Sequence, residues 1–290
     1  MTGVQTCALP ILSNEFLYHM YKIAKYNTEG GTIQRLYNGI LKSTKFICPP
    51  KTEQTAIATA LSDTDALISS LEKLIAKKQM IKQGAMQKLL QPKEGWEVKK
   101  LGEICEVLKG KGISKSQIAY SGKHECILYG ELFTTYTEVI NHIVSKTNTN
   151  DSILSKEGDI LFPGSTTTTG IDLAKASTIM KGNILLGGDI VILRKLSYCY
   201  NPIFLTYFLN VIKKQEIAQI TKGITIHHLY GRDLAGIYAE FPNIEEQNSI
   251  AITLLDMDDE INALEVKLGK YRNIKLGMMH NLLTGKIRLV

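Results

Sequence analysis

No apolar run in this chain is long enough for a membrane-spanning helix. The first residues also lack the basic start and apolar core of a secretion signal. The expectation is a cytoplasmic protein without a membrane partner. Cysteine is sparse and unpatterned. The five residues, Cys7, Cys48, Cys105, Cys126 and Cys199, are odd in number and follow no ligand spacing. That argues against a disulfide framework and for buried free thiols in a reducing compartment. Gly110-Lys111-Gly112 belongs to no GxxxxGK[ST] loop, so nucleotide hydrolysis has no support. The adjacent His227 and His228 have no cysteine or aspartate neighbours at ligand spacing, which argues against a metal reading there. Glu157 and Asp159 have no convergent lysine of a nuclease cluster and read as solvated or turn residues. The net charge of +6, with 21% charged residues, permits a nucleic-acid partner without demanding one.

What the chain does have is a repeat. With Pro49 laid over Pro242, the segments Pro49–Lys93 and Pro242–Lys286 align without a gap. Glu53/Glu246, Gln54/Gln247, Ile57/Ile250, Ala58/Ala251, Leu61/Leu254, Asp65/Asp258, Ile68/Ile261 and Leu71/Leu264 coincide. In the same register Thr32-Ile33 meets Thr225-Ile226, and Leu36-Tyr37 meets Leu229-Tyr230. So many coincidences mark a true internal repeat, longer in period than any solenoid unit.

Each copy reads as a helix. A proline precedes it, its first turn is acidic, and apolar residues then step by four and three. The steps place Leu61, Ile68 and Ile75 on one narrow stripe, and Leu254, Ile261 and Leu268 on its twin, as a helix-pair seam requires. More than 35 residues of helix make a rod of about 50 Å. A rod with one apolar side needs a partner, and its twin is the nearest candidate. The expectation is an antiparallel coiled coil. Gly84 and Gly277 fall inside these helices. They fit either tolerated exposure or a close helix crossing.

The domain layout expected is 1–48, a piece of a domain; 49–93, the first long helix; 94–241, a full domain; and 242–290, the second long helix. The chain is expected to begin inside a domain, with Met1–Ile11 a junction or, alternatively, a divergent natural extension. Trp96–Leu108 reads as an amphipathic opening, and Lys109–Lys123 as a flexible basic loop carrying Lys109, Lys111, Lys115 and Lys123. Strand-like pieces follow at Cys126–Tyr129, Glu138–Val144, Asp159–Phe162 and Asp189–Leu193, and a helix at Pro202–Ala218 capped by Asn201. The full domain is therefore mixed α/β (α+β). Asn201–Phe204, "NPIF", faintly resembles the Asn-Pro-Pro-Tyr site of amino-methyltransferases. No glycine-rich cofactor loop accompanies it, and it reads better as a helix cap. Ser165, Thr166, Thr167 and Thr168 follow a strand and could line a phosphate backbone, or simply form a turn. Lys222, His227, His228, Tyr230 and Arg232 precede the second long helix, with cations for phosphates and polar groups for base edges.

Three phrases in order complete the pattern: "W..KKLGEICEVLKG" (Trp96–Gly110), "GITIHHLYGRDLAGIYAEFPNIEEQNSIA" (Gly223–Ala251) and a long helix ending in "LLTGK" (Leu282–Lys286). Over about residues 12–290 the layout resembles the DNA-specificity subunit of type I restriction–modification systems. The resemblance implies recognition domain, helix, recognition domain, helix, with each domain reading half of a split target in double-stranded DNA. It implies no catalysis and no cofactor in this chain. Its partners would be the methyltransferase (modification) subunits and the restriction motor-nuclease subunit, docked on the helices and adjoining surfaces. The departure is the first recognition domain, of which only Leu12–Pro49 is present. That leaves three readings open: one half-site reader, a half-subunit that forms a homodimer, or a protein-interaction scaffold or inactive fragment that binds the methyltransferase without recognising DNA. The DNA candidates are Lys109, Lys111, Lys115, Lys222 and Arg232 for phosphates. Ser165–Thr168, His227, His228 and Tyr230 are the candidates nearer bases.

Overall fold

The structure is a computed structural model that describes residues 12–23, 47–196 and 200–289. Met1–Ile11, Cys7, Cys199 and the repeat pairs at Thr32-Ile33 and Leu36-Tyr37 lie outside the described residues. Among those residues the helices of six residues or more are α1 (Asn14–Ile23), α2 (Lys51–Leu89), α3 (Pro202–Val211), α4 (Lys214–Gln219) and α5 (Ile244–Leu283). The chain divides into two compact units, Met1–Met80 with Asp258–Val290, and Ile81–Met257.

In the first unit α2 and α5 run antiparallel. Their ion pairs fix the direction: Lys78 with Glu260 (2.6 Å), Glu72 with Arg272 (2.6 Å), and Asp65 with Lys275, so one number falls as the other rises. Between them Leu71, Ile75, Ile261 and Leu268 are buried, flanked by Ile68, Leu264 and Tyr271. Four seam candidates, Ile68, Ile75, Ile261 and Leu268, thus share one apolar strip. Leu61 is buried elsewhere, with Ile57, Ala58, Met279, Leu282 and Leu283 against Phe16 and Met20 of α1.

Gln54 ties α1 to the start of α2. Its carboxamide oxygen accepts from the Ser13 N–H (2.9 Å), and its amide donates to the Pro49 carbonyl (2.9 Å), with the side chain fully buried. Beside it the buried Glu53 receives a two-pronged Arg288 (2.6 and 2.5 Å) and the Leu289 N–H (3.2 Å). Arg288 holds the Glu53 carboxyl below its ordinary pKa.

His19, also buried, places Nε2 3.3 Å from Ser62 Oγ, while Nδ1 has no partner. Burial pushes its pKa below the ordinary 6.5; Lys22 and Lys275 push the same way and Asp65 opposes them. The folded state therefore resists a proton that the unfolded chain accepts. Stability from His19 is complete above about pH 6.5 and is lost as pH falls toward the lower folded value. A His19→Phe variant is expected to lose that slope below about pH 6.5 while keeping the steeper carboxylate loss at lower pH. Urea midpoints across pH measure it.

The second unit is a layered domain. Its strands are β1 (Glu97–Lys100), β2 (Cys105–Lys109), β3 (His124–Ile127), β4 (Val139–Ile140), β5 (Ser145–Thr147), β6 (Ile153–Leu154), β7 (Asp159–Pro163), β8 (Ser165–Thr166), β9 (Ser177–Ile179), β10 (Leu185–Leu186), β11 (Ile190–Lys195), β12 (His227–His228) and β13 (Tyr238–Phe241). A five-stranded sheet has the order β2-β11-β7-β9-β4, and a four-stranded one β5-β3-β10-β6. β7 and β11 explain the layering. Ile160, Phe162, Val191 and Leu193 join one core with α3, while the alternate Leu161, Ile190 and Ile192 join another with Ile127 and Leu186. Both faces of the central strands are covered, which is why "DILFP" and "IVIL" read as continuous apolar runs.

The helical side of this core repeats the arrangement around Gln54. Phe204 and Phe208 of α3 share it with Leu90, Ile250, Ala251 and Leu254. Gln247, buried, accepts from the Asn201 N–H (2.8 Å) and donates to the Pro242 carbonyl (2.8 Å). Glu246 pairs with Lys93 (2.9 Å), a cation just past the end of the other long helix, as Arg288 is for Glu53. Seam candidate Leu254 belongs to this aromatic core.

Several sequence expectations need correction. The amphipathic opening Trp96–Leu108 is β1, one helical turn and β2, because β1 finds an edge partner in β13 (Glu97 opposite Phe241). The helix expected over Pro202–Ala218 breaks after α3, where Lys213 turns to Glu240 (3.1 Å). Asp159 is no solvated carboxylate: it is buried against Arg194 (2.7 Å), and only Glu157 is exposed. Cys105 and Cys126 are buried, but Cys48 is exposed. No close crossing explains Gly84 or Gly277, since a Cβ on either would meet nothing within 4 Å. Gly84→Ala and Gly277→Ala are therefore each expected to stabilise by about 1 kcal/mol, seen as a higher denaturant midpoint.

Candidate nucleic-acid interface

The two polar segments of the second unit meet because β8 pairs with β12, Ser165 opposite His228 and Thr166 opposite His227. The turn leading into β12 is closed by Lys222 and His228, which exchange backbone bonds of 2.9 and 2.8 Å. Only glycine fits at 223: φ is 125°, and a Cβ would lie 1.8 Å from the Ile226 carbonyl. Leu229 is buried and donates its N–H to Gly164 (2.9 Å), which leaves Tyr230 at the surface. The Tyr230 ring stacks near His228 (6.0 Å), with Lys222 and Arg232 at 5.9 and 5.6 Å from its centre.

One groove is lined by Val107, Lys109, Gly164, Asp189, His228, Tyr230 and Arg232. A second begins at the same Lys109 and Asp189 and runs along Lys111 and Lys115 toward Tyr129 and Ser145. A third shares Arg232 with the first and includes Lys222. The five phosphate candidates, Lys109, Lys111, Lys115, Lys222 and Arg232, thus line grooves joined by common residues. The Lys109–Lys123 segment is not a free loop at its start: Gly110 lies so close to Gly187 that a Cβ would meet its carbonyl at 2.0 Å.

Four of these five cations face carboxylates. Lys109 faces Asp189 (3.2 Å), Lys111 faces Asp151 (2.6 Å), and Lys222 and Arg232 both face Asp233 (2.7 and 3.6 Å). Asp189 and Asp151 lie far in the chain from the lysines they face, so nothing local marks them, whereas Asp233 directly follows Arg232. The hydroxyl run separates. Ser165 is buried and donates to Asp189 (3.0 Å). Thr167 is exposed, and Thr168 gives its hydroxyl to Asp172 (2.6 Å). Thr166 and Thr168 border another groove, beside Lys175 and Lys214. Thr168 and Thr169 hold the Asp172 carboxyl below its ordinary pKa.

Asn201 caps α3, its side-chain oxygen accepting from Ile203 and Phe204 N–H groups (2.9 and 3.1 Å). Among the described residues no group of three or more His, Cys, Asp or Glu could hold a metal ion, and no helix is long and apolar enough to cross a membrane.

The family model for the type I restriction modification DNA specificity domain matches residues 7–83 and 93–270. The chain belongs to this family. A similar curated protein is the type I restriction enzyme MjaVIII specificity subunit of Methanocaldococcus jannaschii, 26% identical across 96% of this chain and 71% of that one. The putative MjaX specificity subunit of the same organism is 27% identical across 86% of this chain and 60% of its own length. A shorter stretch, 21% of this chain, is 48% identical to 16% of the putative specificity subunit S.HindORF215P of Haemophilus influenzae. Among solved structures, the type I restriction-modification system S subunit from M. genitalium has a TM-score of 0.62 at 17% identity. The match covers 94% of this chain and 73% of that one. The long helices and the mixed α/β domain are thus a specificity-subunit fold, and the family is one of non-catalytic subunits.

Proposed function

We propose that this chain is a cytoplasmic DNA-reading subunit that brings type I methyltransferase and motor-nuclease partners to one half of a split target. The observation that carries this reading is the joining of Lys109, Lys111, Lys115, Lys222 and Arg232 along connected grooves of a specificity domain. Phosphates attract these cations, and exposed ion pairs of ~0–1 kcal/mol are weak enough for a phosphate to displace the aspartate. Thr166, His227, His228 and Tyr230 stand beside them as candidates for bases, with Thr167 and Thr168 further out, while the buried Ser165 gives its hydroxyl to Asp189. The antiparallel α2 and α5 supply the docking surface for the partner subunits. The segment around α1 corresponds to the part of the full domain around α3, since Ser13 and Phe16 stand to Gln54 and Leu61 as Asn201 and Phe204 stand to Gln247 and Leu254.

The test uses the whole chain. A pool of random duplexes is selected for binding at several salt concentrations, and the recovered site is then offered with the methyltransferase subunit and S-adenosylmethionine. The expected result is one short preferred sequence, salt-sensitive binding, and adenine methylation at that site only when the partner is present. Capture of the methyltransferase with no preferred duplex would favour the scaffold reading.

A further inference from the structure

Asp189 is the only acid among the described residues lining the groove of His228, Tyr230 and Arg232. Its backbone is left-handed (φ 57°), a conformation that aspartate tolerates better than most residues. The position is held from both sides. Its carbonyl accepts the Gly164 N–H at 2.6 Å, so closely that a Cβ on Gly164 would meet that oxygen at 2.8 Å. One carboxylate oxygen receives the Ser165 hydroxyl (3.0 Å) and the other faces Lys109 (3.2 Å), yet the side chain stays 40% exposed. A carboxylate has about four lone-pair sites. Two are engaged, which leaves capacity for further donors at a residue that lines the groove. A fixed negative charge at the meeting point of two cationic grooves weakens phosphate attraction for every DNA sequence alike. Affinity alone gives no reason for it.

We infer that Asp189 is a specificity-determining residue: it accepts a hydrogen bond from the exocyclic amino group of a cytosine or adenine in the major groove. A guanine or thymine there would present O6 or O4, lone pair against carboxylate, and be refused. The buried Ser165 acts as the positioning residue that aims the carboxylate, while Lys109 stays free to meet a phosphate. The inference rests on the DNA-reading function proposed above and adds a chemical class of base to one position of the site.

Asp189→Asn tests it, because asparagine keeps the left-handed backbone and can still accept from Ser165. Asp189→Gly, equally at ease at this φ, is the second variant. The whole chain and both variants are compared by competition binding on duplexes in which each base pair of the selected site is changed in turn. Asp189→Asn is expected to cut the preference at one base pair by about tenfold, leave the other positions as they were, and raise affinity for unrelated duplexes. A uniform change at all positions in both variants would overturn the inference. So would loss of folding in both, read by circular dichroism, since Asp189 would then be a turn residue only. Absence of any preferred duplex for the unaltered chain would instead overturn the parent reading, and this one with it.

Discussion

Gln54→Leu is expected to destabilise the first unit by about 3 kcal/mol, and Gln247→Leu to do the same to the second. Leucine nearly keeps the volume but removes both hydrogen-bonding ends. The Ser13 N–H and the Pro49 carbonyl are left facing an apolar side chain in one unit, and the Asn201 N–H and Pro242 carbonyl in the other. Stranding a buried polar group costs ~1–3 kcal/mol, and each substitution strands two, the Pro242 carbonyl fully buried and the other three part-buried. Against a typical total of ~5–15 kcal/mol the loss is large. The units can be followed separately. Trp96, the single tryptophan, lies 5.9 Å from Phe204, so its fluorescence reports the core that Gln247 borders. Circular dichroism together with hydrogen exchange at the Ser13 amide reports the other. Unchanged midpoints and an unchanged Ser13 exchange rate would show that the two bonds are replaced by water at little cost.

These glutamines also show how far the sequence was legible. Gln54/Gln247 stood out as a repeated pair, because a helix writes its partners a few residues apart and a duplication keeps the register. The reason for the pair could not be read, since the donors at Ser13 and Asn201 come from loops far off in the chain. The likeness of α1 and α3 escaped for a related reason. It appears when Phe16 is laid over Phe204, a different register from the one that superposes Pro49 on Pro242, so a single shift of the chain misses it. Strands were the weaker reading throughout. β7 and β11 were visible as apolar runs, but β1 has only its long-range pairing with β13 to make it a strand. At the candidate interface the basic residues were legible as types, and their neighbours were not. Nothing near Lys111 in sequence names Asp151, and nothing in "GGDIVI" tells that Asp189 lies between Ser165 and Lys109.

Neutralising Lys222 and Arg232 together, as Lys222→Gln with Arg232→Gln, is expected to weaken binding to all duplexes by about thirtyfold at 0.15 M salt. Each cation that meets a phosphate adds about 0.9 to the slope of log affinity against log salt, so the slope should shrink by nearly two. The local electrostatics point the same way. Both side chains are largely exposed, both lie beside the Tyr230 ring, and both share Asp233. Removing them leaves that carboxylate unopposed in front of a polyanion. Adding Asp233→Asn should then recover part of the affinity without restoring the salt slope. This separates a lost phosphate contact from a gained repulsion. Base preference should stay as it was, because phosphate contacts carry register and not sequence. Anisotropy titrations at three salt concentrations, on the selected duplex and on an unrelated one, measure all of this. Equal slopes for the variant and the unaltered chain would take both residues out of the footprint and leave Lys109, Lys111 and Lys115 as its cations.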